Sequence, residues 1–281
     1  MNDFGQKWYN KRIYSVTSTA NSKYVFAGDE CGNFKQIDVE DGETIKDYGK
    51  IFKCSITCMQ CTPNSKFVLV CDENANIRQY NCKTYKLVRS WDRVLIGSIL
   101  TCAVSPDNKS IFVAGSMGIC KKYSLEDGDI VHDYKKIHKG SVFSTCLTND
   151  NSYLFTGDKY GYVKQFACIN HHVLIKDYGK VHERFIYAMG CTLDSKWLLV
   201  SGNRGNLLQI DIRDQLIHKD YGRVHREDSD ICCIVSGPNS KYFWTSDDCG
   251  RLKAFCVNTH GILKDFGKVT QGRLASFTCV P

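Results

Sequence analysis

The stretch from Thr148 to Lys180, TNDNSYLFTGDKYGYVKQFACINHHVLIKDYGK, is the unit from which this sequence is built. It begins with a polar turn and an apolar strand at Tyr153 to Thr156. A glycine-containing turn at Gly157 to Gly161 leads into an alternating strand at Tyr162 to Phe166, and a last strand ends in KDYGK. Short strands separated by turn residues predict an antiparallel β-meander.

The same unit recurs along the chain with a period of 43 to 45 residues. The residue that opens the third strand of each copy is Gly32, Ala75, Gly118, Gly161, Gly205 or Gly250. The KDYGK element keeps the same period, with copies that begin at Asp3, Asp47, Ser90, Asp133, Asp177, Asp220 and Asp265. Seven copies of this marker enclose six complete units, so the sequence predicts one repeat domain over residues 1–281, incomplete at both ends.

Each unit has four strands, which we name a to d in chain order. In the second unit they are predicted at Ile56 to Cys61, Lys66 to Cys71, Asn76 to Tyr80 and Tyr85 to Trp91. One position of strand a is always small, and its occupants are Ser15, Cys58, Thr101, Ser144, Ala188, Cys233 and Ser276. A strand that approaches its neighbours around an axis has room only for small side chains, so strand a is predicted to be innermost. The fold class is therefore all-β, a β-propeller of six complete four-stranded antiparallel blades plus a partial seventh.

Composition restricts the environment and the partners. Sixteen cysteines fall mostly at strand positions where other copies carry Ser, Thr, Ala, Leu or Val, which is typical of small core residues in a reducing compartment. The sequence shows no signal-peptide pattern and no apolar run of about 18 residues, so we expect a cytoplasmic or nuclear protein without a transmembrane segment. The formal charge of +7 favours acidic partners.

The repeats resemble those of the WD-repeat β-propellers over essentially the whole chain. The resemblance rests on the period, the SPDNK turn at Ser105 to Lys109, the run AGDECGNFKQID at Ala27 to Asp38, and His138, His182 and His225 ahead of strand a. It implies a scaffold that binds other proteins in a larger assembly.

The sequence departs from the family pattern at two places in the repeat. The Trp of the family signature is absent from the end of strand c, and Trp91 with Asp92 falls on strand d instead. The aspartate expected directly before the turn glycine is replaced by Cys31, Asn74, Met117, Tyr160, Arg204 or Cys249. These departures predict that the family's hydrogen-bond set of His, Ser/Thr, Asp and Trp cannot form as usual, and that apolar packing is the main interaction that holds the blades together.

No motif in the sequence points to catalysis, a cofactor or a metal. Cys58 and Cys61, with Cys54 nearby, form a C-x-x-C on a strand, where residues three apart point to opposite faces, so we expect no zinc site. His182 with Glu183 is interpreted as part of a loop, and His171 with His172 as part of a solvated turn. Phosphate-binding glycine loops and G-x-S-x-G are absent from the sequence, and we expect a protein that is not an enzyme.

The candidate binding residues are the basic side chains that close the KDYGK elements: Lys50, Arg93, Lys136, Lys180, Arg223 and Lys268. Because meander strands alternate in direction, these residues are predicted to lie at the same end of each blade as the turn between strands b and c. One interpretation is that they neutralise Asp29, Asp72, Asp158 and Asp247 of those turns. The other is that this basic ring binds an acidic partner.

Three functions follow in order of preference. The first is a non-catalytic platform for protein–protein interaction. The second is binding of an anionic ligand, a phosphoinositide head group or nucleic acid, by the basic ring. The third is an enzyme whose site is assembled from loops.

The ends of the sequence supply only parts of a seventh unit. Residues Leu274 to Pro281 repeat a strand a, and Met1 to Gln6 supply the close of a strand d. We predict that the polypeptide is part of a longer repeat protein, or that a partner strand completes the blade; the alternative is a closed ring of six blades with loose ends.

Overall fold

A computed structural model describes residues 11–169 and 172–270. Within these ranges the chain forms six antiparallel sheets, and each consists of four strands in chain order, as in a meander. No helix in the described residues has the length and apolar character needed to cross a membrane. The predicted all-β fold class, a β-propeller built of six four-stranded blades, is confirmed.

The strand bounds of the first three blades are β1 (Ile13–Ser18), β2 (Tyr24–Asp29), β3 (Asn33–Asp38), β4 (Thr44–Lys50), β5 (Ile56–Cys61), β6 (Phe67–Asp72), β7 (Ile77–Asn81), β8 (Leu87–Trp91), β9 (Ile99–Val104), β10 (Ser110–Gly115), β11 (Ile119–Ser124) and β12 (Ile130–Lys136). Those of the last three blades are β13 (Val142–Leu147), β14 (Tyr153–Asp158), β15 (Tyr162–Ala167), β16 (Leu174–Lys180), β17 (Met189–Cys191), β18 (Trp197–Ser201), β19 (Asn206–Asp211), β20 (Leu216–Arg223), β21 (Ile231–Ser236), β22 (Tyr242–Asp247), β23 (Arg251–Cys256) and β24 (Ile262–Lys268).

The predicted strands of the second unit agree with the structure to within two residues. Strand a is correct at both ends, strands b and c each lie one residue further along the chain, and strand d begins at Leu87 rather than Tyr85. Tyr85 itself has φ of +62° in the turn that precedes strand d. The predicted parts of a seventh blade lie in residues 1–10 and 271–281, outside the described ranges, and the closure of the ring stays a prediction.

The chain divides into two compact units. The first holds blades 1 to 3 up to residue 133, except residues 116–119. The second holds those four residues and the described chain from residue 134 to 270, and thus blades 4 to 6. Within the first unit β5 contacts both β1 and β9, and within the second β17 contacts both β13 and β21. Strand a is therefore the strand through which successive blades of a unit approach one another.

The small residue of strand a is required by packing between blades. Ser144 lies opposite Gly157 of strand b, and both are buried. A Cβ atom added to Gly157 would lie 2.4 Å from Cγ2 of Ile186, so the space over this glycine is already filled. The same relation joins Gly28 of the first blade to Ile56 of the second, at 2.6 Å. Blade packing in each unit thus inserts an isoleucine against a residue pair that has almost no side chain.

Hydrogen bonds also connect the turns between strands a and b from one blade to the next. In the first unit the backbone N of Asn64 donates to Oδ1 of Asn108 at 2.8 Å. In the second, the backbone N of Asp194 donates to Oγ of Ser240 at 2.8 Å. The accepting residues have positive φ, +62° at Asn108 and +56° at Ser240. We call these contacts turn links. The other two join Asn21 to Ser65 and Asp150 to Ser195.

Candidate functional site

The aspartate of the KDYGK element shapes the end of strand d. Oδ1 of Asp47 accepts a hydrogen bond from the backbone N of Gly49 at 2.8 Å, and Gly49 has φ of +67°. Its Oδ2 lies 3.2 Å from Nζ of Lys35 on strand c. The fourth and sixth blades repeat the pair as Lys164 with Asp177 and Lys253 with Asp265. The aspartate and glycine of the element are therefore explained by the fold.

The tyrosine of the element anchors strand d to strand c. The hydroxyl of Tyr48 donates to Oε1 of Gln36 at 3.0 Å, and that of Tyr178 donates to Oε1 of Gln165 at 2.8 Å. Burial raises the pKa of both tyrosines well above the ordinary value, which keeps each hydroxyl protonated as a donor. Tyr221 makes the same bond at 2.6 Å. This Tyr–Gln bond was not predicted from the sequence, although the glutamine directly before the bulky residue that closes strand c was visible there in four blades.

The basic residue that closes the element has no such role. Lys50, Lys136, Lys180, Arg223 and Lys268 are the last residues of their strands d, and Arg93 lies two residues beyond β8. All six are exposed. Within the described ranges one of them, Arg223, forms an ion pair, and its partner is the exposed Glu227 at 3.1 Å. The repeat therefore uses every residue of DYGK internally except the last.

The interpretation that the turn aspartates neutralise this basic ring is wrong. Asp29, Asp72, Asp158 and Asp247 are all buried, with at most 1% of each residue exposed. Oδ1 of Asp247 accepts hydrogen bonds from the backbone N of Cys249 at 3.1 Å and of Arg251 at 2.8 Å. The carboxylates close the turns between strands b and c, as side chains commonly do in tight turns, and no basic-ring side chain reaches them in the described part of the chain.

The prediction that the hydrogen-bond set of His, Ser/Thr, Asp and Trp cannot form as usual is also wrong, for the His, Thr and Asp members in two blades. Nδ1 of His225 lies 3.0 Å from Oδ2 of Asp247, and its Nε2 lies 2.8 Å from Oγ1 of Thr245. His138 makes the same pair of contacts to Asp158 and Thr156, at 3.3 and 2.8 Å. The aspartate stands three residues before the turn glycine rather than directly before it, and alignment on the wrong residue hid the set.

The fifth blade lacks this set because Gly202 replaces the aspartate. The His182 ring fills the vacated space, since a Cβ on Gly202 would lie 2.3 Å from that ring. Nε2 of His182 lies 3.3 Å from the carbonyl oxygen of Val200. Asp230 closes the turn instead and accepts from the backbone N of Arg204 at 2.8 Å. His182 thus lies in a loop, as predicted, but its ring is largely buried.

The burial of His182 predicts a pH dependence of stability. Burial lowers the pKa of this imidazole below 6.5, although the carbonyl of Val200 opposes the shift. The unfolded chain therefore binds a proton near pH 6.5 that the folded chain does not, and stability falls as pH drops below that value. Urea unfolding at pH 7.5 and 5.5 should show a smaller acid loss for His182→Phe, which copies Phe52 of the second blade. An equal loss in wild type and variant would contradict this assignment.

Two clefts between neighbouring blades bring basic-ring residues together with further cations. In the second unit a cavity of about 530 Å³ lies between blades 5 and 6. Its lining includes the cations Arg223, Arg226, Arg251, Lys253 and Lys268, against the single carboxylate of Asp265. In the first unit the equivalent cavity, about 430 Å³, has a lining that includes the cations Lys50, Lys53 and Arg78, against the carboxylate of Asp72. We call these the basic clefts.

The outer strands also carry apolar side chains in solvent, which the sequence reasoning missed. Strand d begins with two consecutive apolar residues in five blades, and both are 40% to 65% exposed. These apolar pairs are Leu87 with Val88, Ile130 with Val131, Leu174 with Ile175, Leu216 with Ile217, and Ile262 with Leu263. Strand d is the terminal strand of its sheet, so its outer edge has no partner strand within the blade. The signal was present as two adjacent apolar residues where an alternating strand would have one.

Three other residues that the sequence singled out have structural roles. Trp91 ends β8 on strand d, as predicted, and its Nε1 donates to the carbonyl of Gly128 at 2.8 Å. His171 lies outside the described ranges, whereas Nδ1 of His172 lies 3.3 Å from the hydroxyl of Tyr134. Sγ of Cys54 donates to Oδ2 of Asp72 at 3.3 Å.

Comparison of the chain with models of known protein families and with curated proteins finds no match. The fold and these surfaces define a β-propeller whose blades present an apolar and basic outer edge.

Replacing Lys136, Lys180 and Arg223 together by alanine is expected to leave thermal stability nearly unchanged. The three side chains are exposed, and an exposed ion pair such as that of Arg223 with Glu227 contributes only about 0 to 1 kcal/mol. Differential scanning fluorimetry provides the measurement. A large fall in melting temperature would show that the ring is structural.

Proposed function

We propose that this chain is a non-catalytic, cytoplasmic platform for protein–protein interaction, of the WD-repeat type, and that its outer strands bind acidic and partly apolar segments of another protein. The observation that carries the proposal is the exposed apolar pair, which recurs in five blades at the start of strand d. Large apolar side chains that are exposed at the same place in five blades favour an interaction site, and a terminal strand offers unpaired backbone groups to an added strand.

Charge supports an acidic partner. Each outer strand that begins with an apolar pair ends in or leads to a basic-ring residue: Arg93, Lys136, Lys180, Arg223 or Lys268. A partner segment paired along such a strand would place apolar side chains at one end and carboxylates at the other. The His, Asp and Thr contacts of the fourth and sixth blades support the WD-repeat assignment.

The test compares proteins captured by the wild-type chain and by a variant with Leu216, Ile217, Ile262 and Leu263 all replaced by serine. These side chains are exposed, so the fold should persist. A control variant replaces the exposed turn residues Asp214 and Asn258 by serine. We expect mass spectrometry to find partners shared by wild type and control but lost from the apolar variant. Identical captured sets for all three proteins would refute the proposal.

The basic cleft of the second unit favours a second candidate function, the binding of a small polyanion. Five cations and one carboxylate line a cavity whose size is ordinary for a small ligand. A soluble inositol polyphosphate is the first probe in isothermal titration calorimetry, and a short DNA duplex is the second. For the duplex, log K should fall with log salt by about 0.9 per phosphate engaged.

The matched variants for this candidate are Arg226→Ala with Arg251→Ala, and Lys241→Ala as an exposed cation outside the cleft. The double variant should lose binding of the inositol polyphosphate, and the control should retain it. Absence of binding to either probe at low salt would remove this function, whereas salt-dependent binding of the duplex alone would point to nucleic acid.

A further inference from the structure

Three cysteine side chains converge between the second and third blades, both in the first unit. Cys58 on β5 and Cys71 on β6 are direct partners in the strand register. Cys102 lies on β9, which packs against β5. The three Sγ atoms all lie within 4.8 Å of one another.

This convergence is not a general consequence of the repeat. In four other blades the equivalent three positions are Ser15, Gly28 and Met59; Thr101, Ala114 and Thr145; Ser144, Gly157 and Met189; and Ala188, Ser201 and Ile234. In the sixth blade the first two positions are Cys233 and Ser246. Cys58, Cys71 and Cys102 are therefore the one set in which all the positions are cysteine. Small size alone would be satisfied by the serine, glycine or alanine that the other repeats use.

The donor set consists of sulfur only. Within the described ranges these are the one group of three His, Cys, Asp or Glu side chains close enough to share an ion. Thiolates favour soft ions such as Cu(I) and Zn(II). Structural zinc sites take four protein ligands in a tetrahedron, whereas Cu(I) is satisfied by three thiolates. With metal–sulfur bonds of about 2.3 Å, a trigonal site places its sulfurs about 4 Å apart, which this cluster allows.

Burial differs among the three residues. Cys71 is fully buried, whereas Cys58 and Cys102 keep part of their residue surface exposed. The three thiols are near enough to contact one another. Metal binding would replace these contacts and release the thiol protons to solvent, since the ligands of a metal are thiolates.

We propose that Cys58, Cys71 and Cys102 together bind one Cu(I) ion through three thiolates. The site is independent of the outer-strand surface and the basic clefts, and it adds a metal-binding property to the interaction platform.

The experiment titrates the reduced chain, residues 1–281, with Cu(I) under anaerobic conditions, in competition with a chromophoric Cu(I) chelator. The variants copy residues found at the same position in other repeats: Cys102→Thr follows Thr145, and Cys58→Ser follows Ser15. The control is Cys120→Ala, which removes a buried cysteine of the same unit outside the cluster. Circular dichroism verifies that each variant is folded, and two cluster variants guard against the failure of one.

Wild type and Cys120→Ala should each withhold one equivalent of Cu(I) from the chelator, and both cluster variants should lose it. X-ray absorption of the loaded protein should show three sulfurs at about 2.3 Å and no nitrogen or oxygen ligand. The proposal is overturned if wild type yields all its copper to the chelator, or if folded Cys102→Thr or Cys58→Ser withholds as much as wild type. Retention of one equivalent of Zn(II) without Cu(I) would likewise overturn the assignment of the ion.

Discussion

Replacing Asp247 by alanine is expected to lower the free energy of unfolding by about 3 to 5 kcal/mol. The buried carboxylate accepts from the backbone N of Cys249 and of Arg251, and it lies 3.0 Å from Nδ1 of His225. Its removal leaves three donors without an acceptor in a place that water does not reach. Urea unfolding followed by circular dichroism measures the change.

The matched control for this prediction is Asp214→Ala, an exposed aspartate in the turn between β19 and β20. Surface substitutions of this kind usually change stability by less than about 0.5 kcal/mol. If Asp247→Ala costs no more than the control, the carboxylate does not close its turn and the contacts at Asp247 contribute nothing to stability. The fifth blade, where Gly202 stands in this place, survives because Asp230 supplies the missing acceptor.

The second large effect is expected for Ser144→Phe, with a loss of about 3 kcal/mol, at the upper end for an overpacked site. Ser144 is only 6% exposed and lies opposite Gly157, whose surface is covered by Ile186. A phenyl ring has no free volume there, and the adjacent blade would have to move away. Thermal unfolding gives the measurement.

Asn258→Phe provides the comparison, because Asn258 is exposed in the turn between β23 and β24 of the same unit. The added ring should extend into solvent there and change the melting temperature little. Equal melting temperatures for the two variants would mean that strand a does not pack as the structure describes.

The fold was predictable from the sequence because the repeat states one physical pattern many times. In a single unit, a short apolar run is compatible with either a helix or a strand. Six aligned copies show the common pattern despite local exceptions such as Ala75 in place of glycine. The small residue of strand a was informative for the same reason. Strand ends were the weakest part, since turn residues such as Tyr85 carry apolar side chains that resemble strand residues.

The candidate site was only partly predictable. The basic ring was visible in the sequence because its members repeat. The structure shows that these residues are exposed, and their binding of a partner stays a prediction. The interpretation that Asp158 and its equivalents neutralise the basic ring was wrong. Sequence position places each carboxylate at the correct end of a blade, but it does not show whether the carboxylate points outward or into its own turn. The cysteine cluster was missed for a related reason. Cys58 was compared with its sequence neighbour Cys61, whereas its partners are Cys71 on β6 and Cys102 on the next blade.

The turn links bear on how such a chain gains or loses repeats. In each link the donor is a backbone N, which almost any residue supplies, and the side chain matters only on the accepting partner, as at Ser65 or Ser240. A duplicated blade inserted beside its parent would therefore meet a compatible neighbour on both sides without a compensating substitution. Deletion of a blade within a unit would rejoin a donor to an equivalent acceptor. We expect homologous chains to vary in length by whole multiples of the repeat rather than by fractions of it.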